Sequence, residues 1–156
     1  MLKVVIIDAN SITRNLLSTL LIAGGHDVVG TSNTSDANLA RAIKLAPQVL
    51  CVDIGEASDQ NFGIIDMLRE ALPKALIFLV SGNMDSALVQ GGAQRGLHGF
   101  IVKPFNPLTV QTVIRNAILK IARQLQTRPV PATETSASTD TSADLLPGTT
   151  STDTTT

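Results

Sequence analysis

The stretch KVVIIDANSITRNLLSTLLIAGG, residues 3–25, contains one complete strand–helix unit. Residues 3–7 are a continuous aliphatic and β-branched run, which predicts a strand covered on both faces. The run ends at a carboxylate, Asp8, and apolar residues then recur at helical spacing until two glycines stop the helix. The unit therefore predicts a buried strand that delivers a charged group to the turn before an amphipathic helix.

The same alternation continues along the chain to about residue 125. The predicted strands are 3–7, 26–32, 48–53, 75–81 and 97–103, and the predicted helices are 11–25, 35–45, 62–72, 85–95 and 106–125. Apolar strands that alternate with amphipathic helices indicate an α/β fold with a doubly wound, five-stranded parallel sheet and helices on both faces. The functional site of such a sheet lies beyond the carboxyl ends of its strands.

Composition and charge exclude several classes of protein. Of the 156 residues, 44% are apolar and 16% are charged, which is typical of a folded soluble domain. The formal net charge is −1 and no basic run occurs, so neither nucleic acid nor an anionic membrane is expected as a partner. The pattern of the first residues, MLKVVIID, is not the one expected of a signal peptide, and no apolar run reaches about 20 residues. We therefore expect a cytoplasmic location.

The composition changes sharply near residue 127. From there the sequence reads TRPVPATETSASTDTSADLLPGTTSTDTTT, in which threonine, serine and proline dominate. Such a segment buries too little apolar surface to offset its conformational entropy. The sequence thus predicts one folded domain at residues 1–126 and a disordered tail at residues 127–156.

Polar side chains follow four of the five predicted strands. These side chains are Asp8, Asp53, Ser81 and Lys103. Parallel strands bring their carboxyl ends to the same edge of the sheet, so we expect the four groups to converge. Two carboxylates, a hydroxyl and an ammonium can hold a divalent cation and stabilise a phosphoryl group during its transfer to a carboxylate.

This pattern, with the Lys-Pro-Phe sequence at residues 103–105, resembles the receiver domain of two-component response regulators. The resemblance covers residues 1 to about 125 and implies a flavodoxin-like strand order, 2-1-3-4-5. It implies that Asp53 is the phosphoacceptor and that Lys103 pairs with the phosphoryl group. Ser81 would be the switch hydroxyl, and Phe100 the aromatic residue whose rotamer follows it. Asp8, Asp53 and the main-chain carbonyl of Gly55 would bind Mg²⁺.

The resemblance also implies the partners. A histidine kinase or a phosphotransfer protein would phosphorylate Asp53, and the phosphorylated chain would contact a target protein through the surface of residues 85–125. The same surface is a candidate for homodimer formation. The expected role is signalling by protein contact and not enzymatic turnover of a substrate.

The sequence departs from the receiver pattern after the first strand. Receiver domains have two adjacent acids there, whereas this chain has Asp8 followed by Ala9. Loss of one carboxylate from the metal site is expected to weaken Mg²⁺ binding. Glu56 or Asp59, in the loop after Asp53, is a candidate to supply the missing charge, although both also suit a solvated loop.

Two other functions remain open. In the first, the chain is a pseudo-receiver, a binding module that acts without phosphorylation. In the second, more remote, it is a phosphatase of the haloacid dehalogenase type with Asp8 as nucleophile, although Asn10 stands where that family needs a second acid. The glycine pairs 24–25 and 91–92 are predicted to end helices and not to form phosphate-binding loops.

Overall fold

The computed structural model describes residues 1–127, which form five strands and five helices in strict alternation. The strands are β1 (Lys3–Ile7), β2 (Asp27–Ser32), β3 (Val49–Val52), β4 (Leu76–Ser81) and β5 (Gly99–Val102). The helices are α1 (Ser11–Ala23), α2 (Asp36–Lys44), α3 (Asp59–Ala71), α4 (Ser86–Gln94) and α5 (Pro107–Thr127). The predicted succession of elements is confirmed.

All four strand pairs are parallel, and the sheet has the order β2-β1-β3-β4-β5. The prediction of a doubly wound sheet with the order 2-1-3-4-5 is therefore confirmed. β1 lies between β2 and β3, with Ile7 opposite Val52 at the carboxyl end. β4 continues the same edge, since Val52 pairs with Leu79 and Ser81 pairs with Val102.

The sheet has a separate hydrophobic core on each face. Alternate residues of β1 point to opposite faces, as period-two geometry requires, so that Val5 and Ile7 join one core while Val4 and Ile6 join the other. The first core is closed by residues of α2, α3 and α4 (Leu39, Ala42, Phe62, Ile65, Leu68 and Leu88). The second is closed by α1 and α5 (Leu17, Leu21, Val110, Ile114 and Ala117). The helices thus cover both faces, as predicted.

Polar side chains fix the start of each helix. The side chains of Asn10, Ser35, Ser58 and Asp85 accept hydrogen bonds from main-chain N–H groups in the first turns of α1, α2, α3 and α4. Asn106 does the same for α5 through the N–H of Thr109 at 3.1 Å. The Ser58 cap explains why α3 begins at Asp59, three residues before the predicted start.

The expectation that Gly91 and Gly92 end a helix is wrong. Both lie inside α4, which continues to Gln94 and is followed by Gly96 at a φ of 73°. A side chain at either position would collide with its surroundings. A Cβ atom at Gly91 would overlap the ring of Phe62, and one at Gly92 would lie 3.1 Å from the ring of Phe100. The two glycines therefore allow α4 to approach α3 and β5 closely.

The chain divides into two compact units, Met1–Leu119 and Lys120–Thr156. The first contains the whole sheet. The second is described only to Thr127, as the last turns of α5, so the predicted tail lies outside the described residues except for Thr127. The domain boundary at residue 126 stays a prediction. In the part that is described, none of the helices combines the length and the apolar character needed to cross a membrane.

Candidate functional site

The structure brings the predicted site residues to one edge of the sheet. Asp8 follows β1, Asp53 follows β3, Ser81 ends β4 and Lys103 follows β5. The main-chain ladder extends into these positions, because Asp53 N donates to Ile7 O at 2.8 Å and Lys103 N donates to Ser81 O at 2.9 Å. The four side chains are thus placed by the ends of four strands of the sheet.

Lys103 joins the two carboxylates. Its Nζ lies 2.6 Å from Asp53 Oδ2 and 2.8 Å from Asp8 Oδ2. The side chains are only 18% exposed for Lys103, 14% for Asp53 and 7% for Asp8, so solvent screens these ion pairs weakly. Burial alone would lower the pKa of Lys103, but the hydrogen bonds and charges of Asp53 and Asp8 raise that pKa above its usual value. The lysine therefore stays charged between the carboxylates.

Asp8 is held by the first turn of α1. Its Oδ1 accepts from the N–H of Asn10 at 2.9 Å, and its Oδ2 accepts from the hydroxyl of Thr13 at 2.7 Å. The guanidinium of Arg14 donates to the main-chain carbonyl of Asp8 at 2.6 Å. Burial would raise the pKa of Asp8, but hydrogen bonds from Lys103, Asn10 and Thr13 bring that pKa below its ordinary value. Asp8 is thus an ionised, buried anchor.

Asp53 lies in a more open position. A cleft of about 530 Å³ is lined by Asp53 together with Gly55, Glu56, Ser81, Gly82 and Asn83. Asp53 Oδ1 accepts from the N–H of Gly55 at 2.8 Å, and Gly55 has a φ of 80°, a conformation that favours glycine. Asp53 therefore borders an open cleft, whereas the side chain of Asp8 is almost completely buried.

Ser81 and Phe100 occupy neighbouring places on β4 and β5. Ser81 is 5% exposed, and its Oγ accepts a hydrogen bond from the N–H of Asn83 at 3.0 Å at the rim of the cleft. Phe100 is partly buried against the core on the α4 side of the sheet, close to Gly92. The roles of Ser81 and Phe100 as switch residues stay predictions.

The donor atoms at the site suit Mg²⁺ in kind but are few in number. Two carboxylates, Asp8 and Asp53, and the carbonyl of Gly55 are hard oxygen ligands, and Mg²⁺ commonly keeps several waters beside one or two carboxylates. Within residues 1–127, no three His, Cys, Asp or Glu side chains lie together as a metal-binding group. Glu56 lines the cleft but does not complete such a set with the two aspartates. The residues therefore fit a weakly held magnesium ion.

Sequence reasoning did not identify the contact between Thr13 and the carboxylate of Asp8. The hydroxyl lies five residues after Asp8 on the first turn of α1, and its contact with Asp8 Oδ2 depends on the side-chain rotamer. The signal that could have found it is the Asn10 cap, because a helix that starts there turns its third residue back towards the strand end.

Cys51 lies apart from this chemistry. It is completely buried in β3, and burial raises the pKa of its thiol to about 12, so the reactive thiolate form is suppressed. The Cys51 side chain is thus part of the hydrophobic core on the α1 and α5 side of the sheet.

Curated proteins similar to the chain are response regulators, although no protein-family model matches it. The chain is 26% identical over 108 residues to the chemotaxis protein CheY of Thermotoga maritima, across 69% of this chain and 90% of that protein. It is 24% identical over 111 residues to the transcriptional regulatory protein LnrK of Bacillus subtilis, across 70% of this chain and 50% of that protein. The match therefore spans about half the length of that regulator.

Solved structures with the same architecture include a chemotaxis protein and receiver domains of response regulators. The chemotaxis protein CheY4 of Vibrio cholerae superposes with a TM-score of 0.65 at 25% identity, covering 75% of this chain and 98% of that one. The REC domain of AraT, a response regulator from Geobacillus stearothermophilus, gives a TM-score of 0.67 at 20% identity over 80% of this chain and 98% of that one. The likeness to AraT is evidence of the fold alone.

Proposed function

Because the chain is a receiver domain of the response-regulator type, we propose that it acts as a single-domain response regulator whose phosphoacceptor is Asp53. The observation that carries this proposal is the difference between the two aspartates. Asp53 opens on a cleft and touches the ammonium of Lys103, while Asp8 is buried and engaged by three donors. Of the two carboxylates, Asp53 is the accessible nucleophile.

In the proposed reaction a carboxylate oxygen of Asp53 attacks the phosphorus of a phosphohistidine on a histidine kinase or phosphotransfer protein. A P–O bond forms, the P–N bond breaks, and the imidazole leaves with a proton from solvent. Lys103, already 2.6 Å from Asp53 Oδ2, stabilises the negative charge of the phosphoryl oxygens. Mg²⁺, held by Asp8, Asp53 and the carbonyl of Gly55, would supply further positive charge when bound. The Ser81 hydroxyl can donate to a phosphoryl oxygen in the same cleft.

The proposed output runs through Phe100 to the surface of residues 85–125. Phe100 packs beside Gly92 of α4, so a change in its rotamer would alter the space available to that helix. Val102 and Leu108 on the same surface are 51% and 73% exposed, and both could contact a target protein or a second copy of the chain. The same proposal places the protein in the cytoplasm, with neither nucleic acid nor membrane as a partner.

The experiment is intact mass spectrometry after incubation with acetyl phosphate, with and without millimolar Mg²⁺. We expect the native chain to gain one phosphoryl group and Asp53→Asn to gain none. Asp36→Asn, which makes the same change at an exposed acid at the start of α2, is the matched control and should react like the native chain. A gain that survives Asp53→Asn but disappears in Asp8→Asn would instead support the phosphatase function.

The pseudo-receiver is the second candidate, and the observation in its favour is the absence of an acid at Ala9. A folded native chain that stays unmodified under every condition, while an Ala9→Asp variant becomes phosphorylated, would support it. The function would then be binding alone.

A further inference from the structure

We propose that Thr13 is a positioning residue that orients the carboxylate of Asp8 towards the ammonium of Lys103. In this way Thr13 keeps the Mg²⁺ affinity of the unphosphorylated chain low. The inference rests on the proposed function for the identity of the cation. It concerns a residue of α1 that the receiver resemblance does not assign to the site.

The argument begins with the lone pairs of Asp8. A carboxylate oxygen has about two positions at which it can accept a hydrogen bond or bind a metal. Asp8 Oδ2 already receives the Thr13 hydroxyl at 2.7 Å and the Lys103 ammonium at 2.8 Å. Both positions are filled, and Oδ1 keeps only one position beside the Asn10 N–H bond. Thr13 therefore occupies an acceptor position on Asp8 Oδ2 that a cation would otherwise use.

Lys103 adds competition for the same group. Its ammonium contacts Oδ2 of both Asp8 and Asp53, so a cation held by these two carboxylates would compete with Lys103 for them. Thr13 favours Lys103 in this competition because it keeps Asp8 Oδ2 pointed at Lys103. Ala9 leaves Asp8 as the only acid of the β1–α1 turn, so a cation at this turn would depend on Asp8 for a carboxylate.

The position of Thr13 is itself fixed. Its N–H is bound by the side chain of Asn10 at 3.2 Å, and Arg14 beside it binds the Asp8 carbonyl at 2.6 Å. The hydroxyl is also 3.1 Å from the carbonyl of Asn10, but the shorter contact and the negative charge favour donation to Asp8. The first turn of α1 thus presents the hydroxyl to Asp8 in a set geometry.

The test compares Thr13→Val, which keeps the shape and loses the hydroxyl, with Thr13→Ser, which keeps the hydroxyl. Mg²⁺ affinity of the unphosphorylated full chain is measured by calorimetry or by amide NMR titration. We expect Thr13→Val to bind Mg²⁺ about three- to tenfold more tightly, the effect of losing one hydrogen bond of ordinary net strength. Thr13→Ser should match the native chain. Thr19→Val, which removes an exposed hydroxyl from the same helix, should also match it.

An unchanged or weaker Mg²⁺ affinity in Thr13→Val would overturn the inference, as would equal tightening in Thr13→Ser. If the native affinity is too low to measure, the same comparison is made in an Ala9→Asp background, which restores a second acid. Circular dichroism confirms that each variant is folded. Because no phosphoryl donor is present, this result is independent of whether Asp53 is phosphorylated.

Discussion

At the scale of single residues, Lys103 and Asp8 depend on each other. The ammonium of Lys103 forms ion pairs with two carboxylates that follow separate strands, and Asp8 is the more buried of the two. Removing one partner of a buried ion pair leaves an uncompensated charge, which costs more than the pair itself contributes. These ion pairs thus also connect the carboxyl ends of β1, β3 and β5.

The ion pairs of Asp8 predict how the stability of the folded chain depends on pH. The pKa of Asp8 lies below 3.8 in the folded chain, so the unfolded chain binds more protons in acid. The stabilisation from ionised Asp8 is fully present above the pKa that Asp8 has in the unfolded chain. It is lost as the pH falls through the pKa that Asp8 has in the folded chain. We expect the urea midpoint to decrease from about pH 5 to about pH 3, and to decrease less in Asp8→Asn. Equal decreases in the two proteins would show that Asp8 does not contribute.

At the scale of elements, α4 is the helix whose sequence and packing disagree. Two adjacent glycines lower its intrinsic helix propensity by about 1 kcal/mol each relative to alanine. Packing compensates, because Arg95 lies 4.3 Å from the centre of the Phe62 ring, binds Asp66 at 3.0 Å and donates to the Gly91 carbonyl at 3.0 Å. α4 is therefore held by its contacts with α3.

A pair of glycine substitutions tests this account of α4. Gly63→Ala in α3 has no neighbouring atom within 4 Å, so we expect the free energy of unfolding to rise by about 0.5–1 kcal/mol. Gly91→Ala has the same propensity gain but would overlap the ring of Phe62, and we expect a loss of about 1–3 kcal/mol. Urea denaturation measures both. A stabilised Gly91→Ala variant would mean that the Phe62 ring moves aside at little cost.

At the scale of the whole molecule, the buried hydrophobic residues of the described chain extend from Val4 to Ala117. They form two cores separated by the sheet, and the central strands contribute to both. The buried residues that stabilise the described part therefore all precede the last turns of α5.

Removal of residues 128–156 should accordingly have little effect on stability. A chain that ends at Thr127 keeps every buried residue of both cores, so we expect its melting temperature to change by less than about 4 °C. Differential scanning calorimetry of the two chains measures the change. A larger decrease would show that the removed residues stabilise the domain.

Much of this architecture could be predicted because it depends on periodicity. The continuous apolar runs predicted the buried strands β1, β3 and β4. The polar residues at the ends of these runs predicted the site residues Asp8, Asp53 and Ser81. The α4 glycines were misread because their reason is close packing against Phe62 and Phe100, which local sequence does not show. The Thr13 contact was missed because a side-chain hydrogen bond depends on a rotamer chosen in three dimensions.

The ion-paired triad of Asp8, Asp53 and Lys103 has a consequence for protein synthesis. Its members come from the first, third and fifth strands, so a growing chain holds both carboxylates well before the ribosome has added the lysine. Until then the two acids lack this shared counter-charge, and bringing the ends of β1 and β3 together carries an electrostatic cost. Completion of the site coincides with completion of the sheet, and a nascent fragment that ends before β5 cannot assemble it.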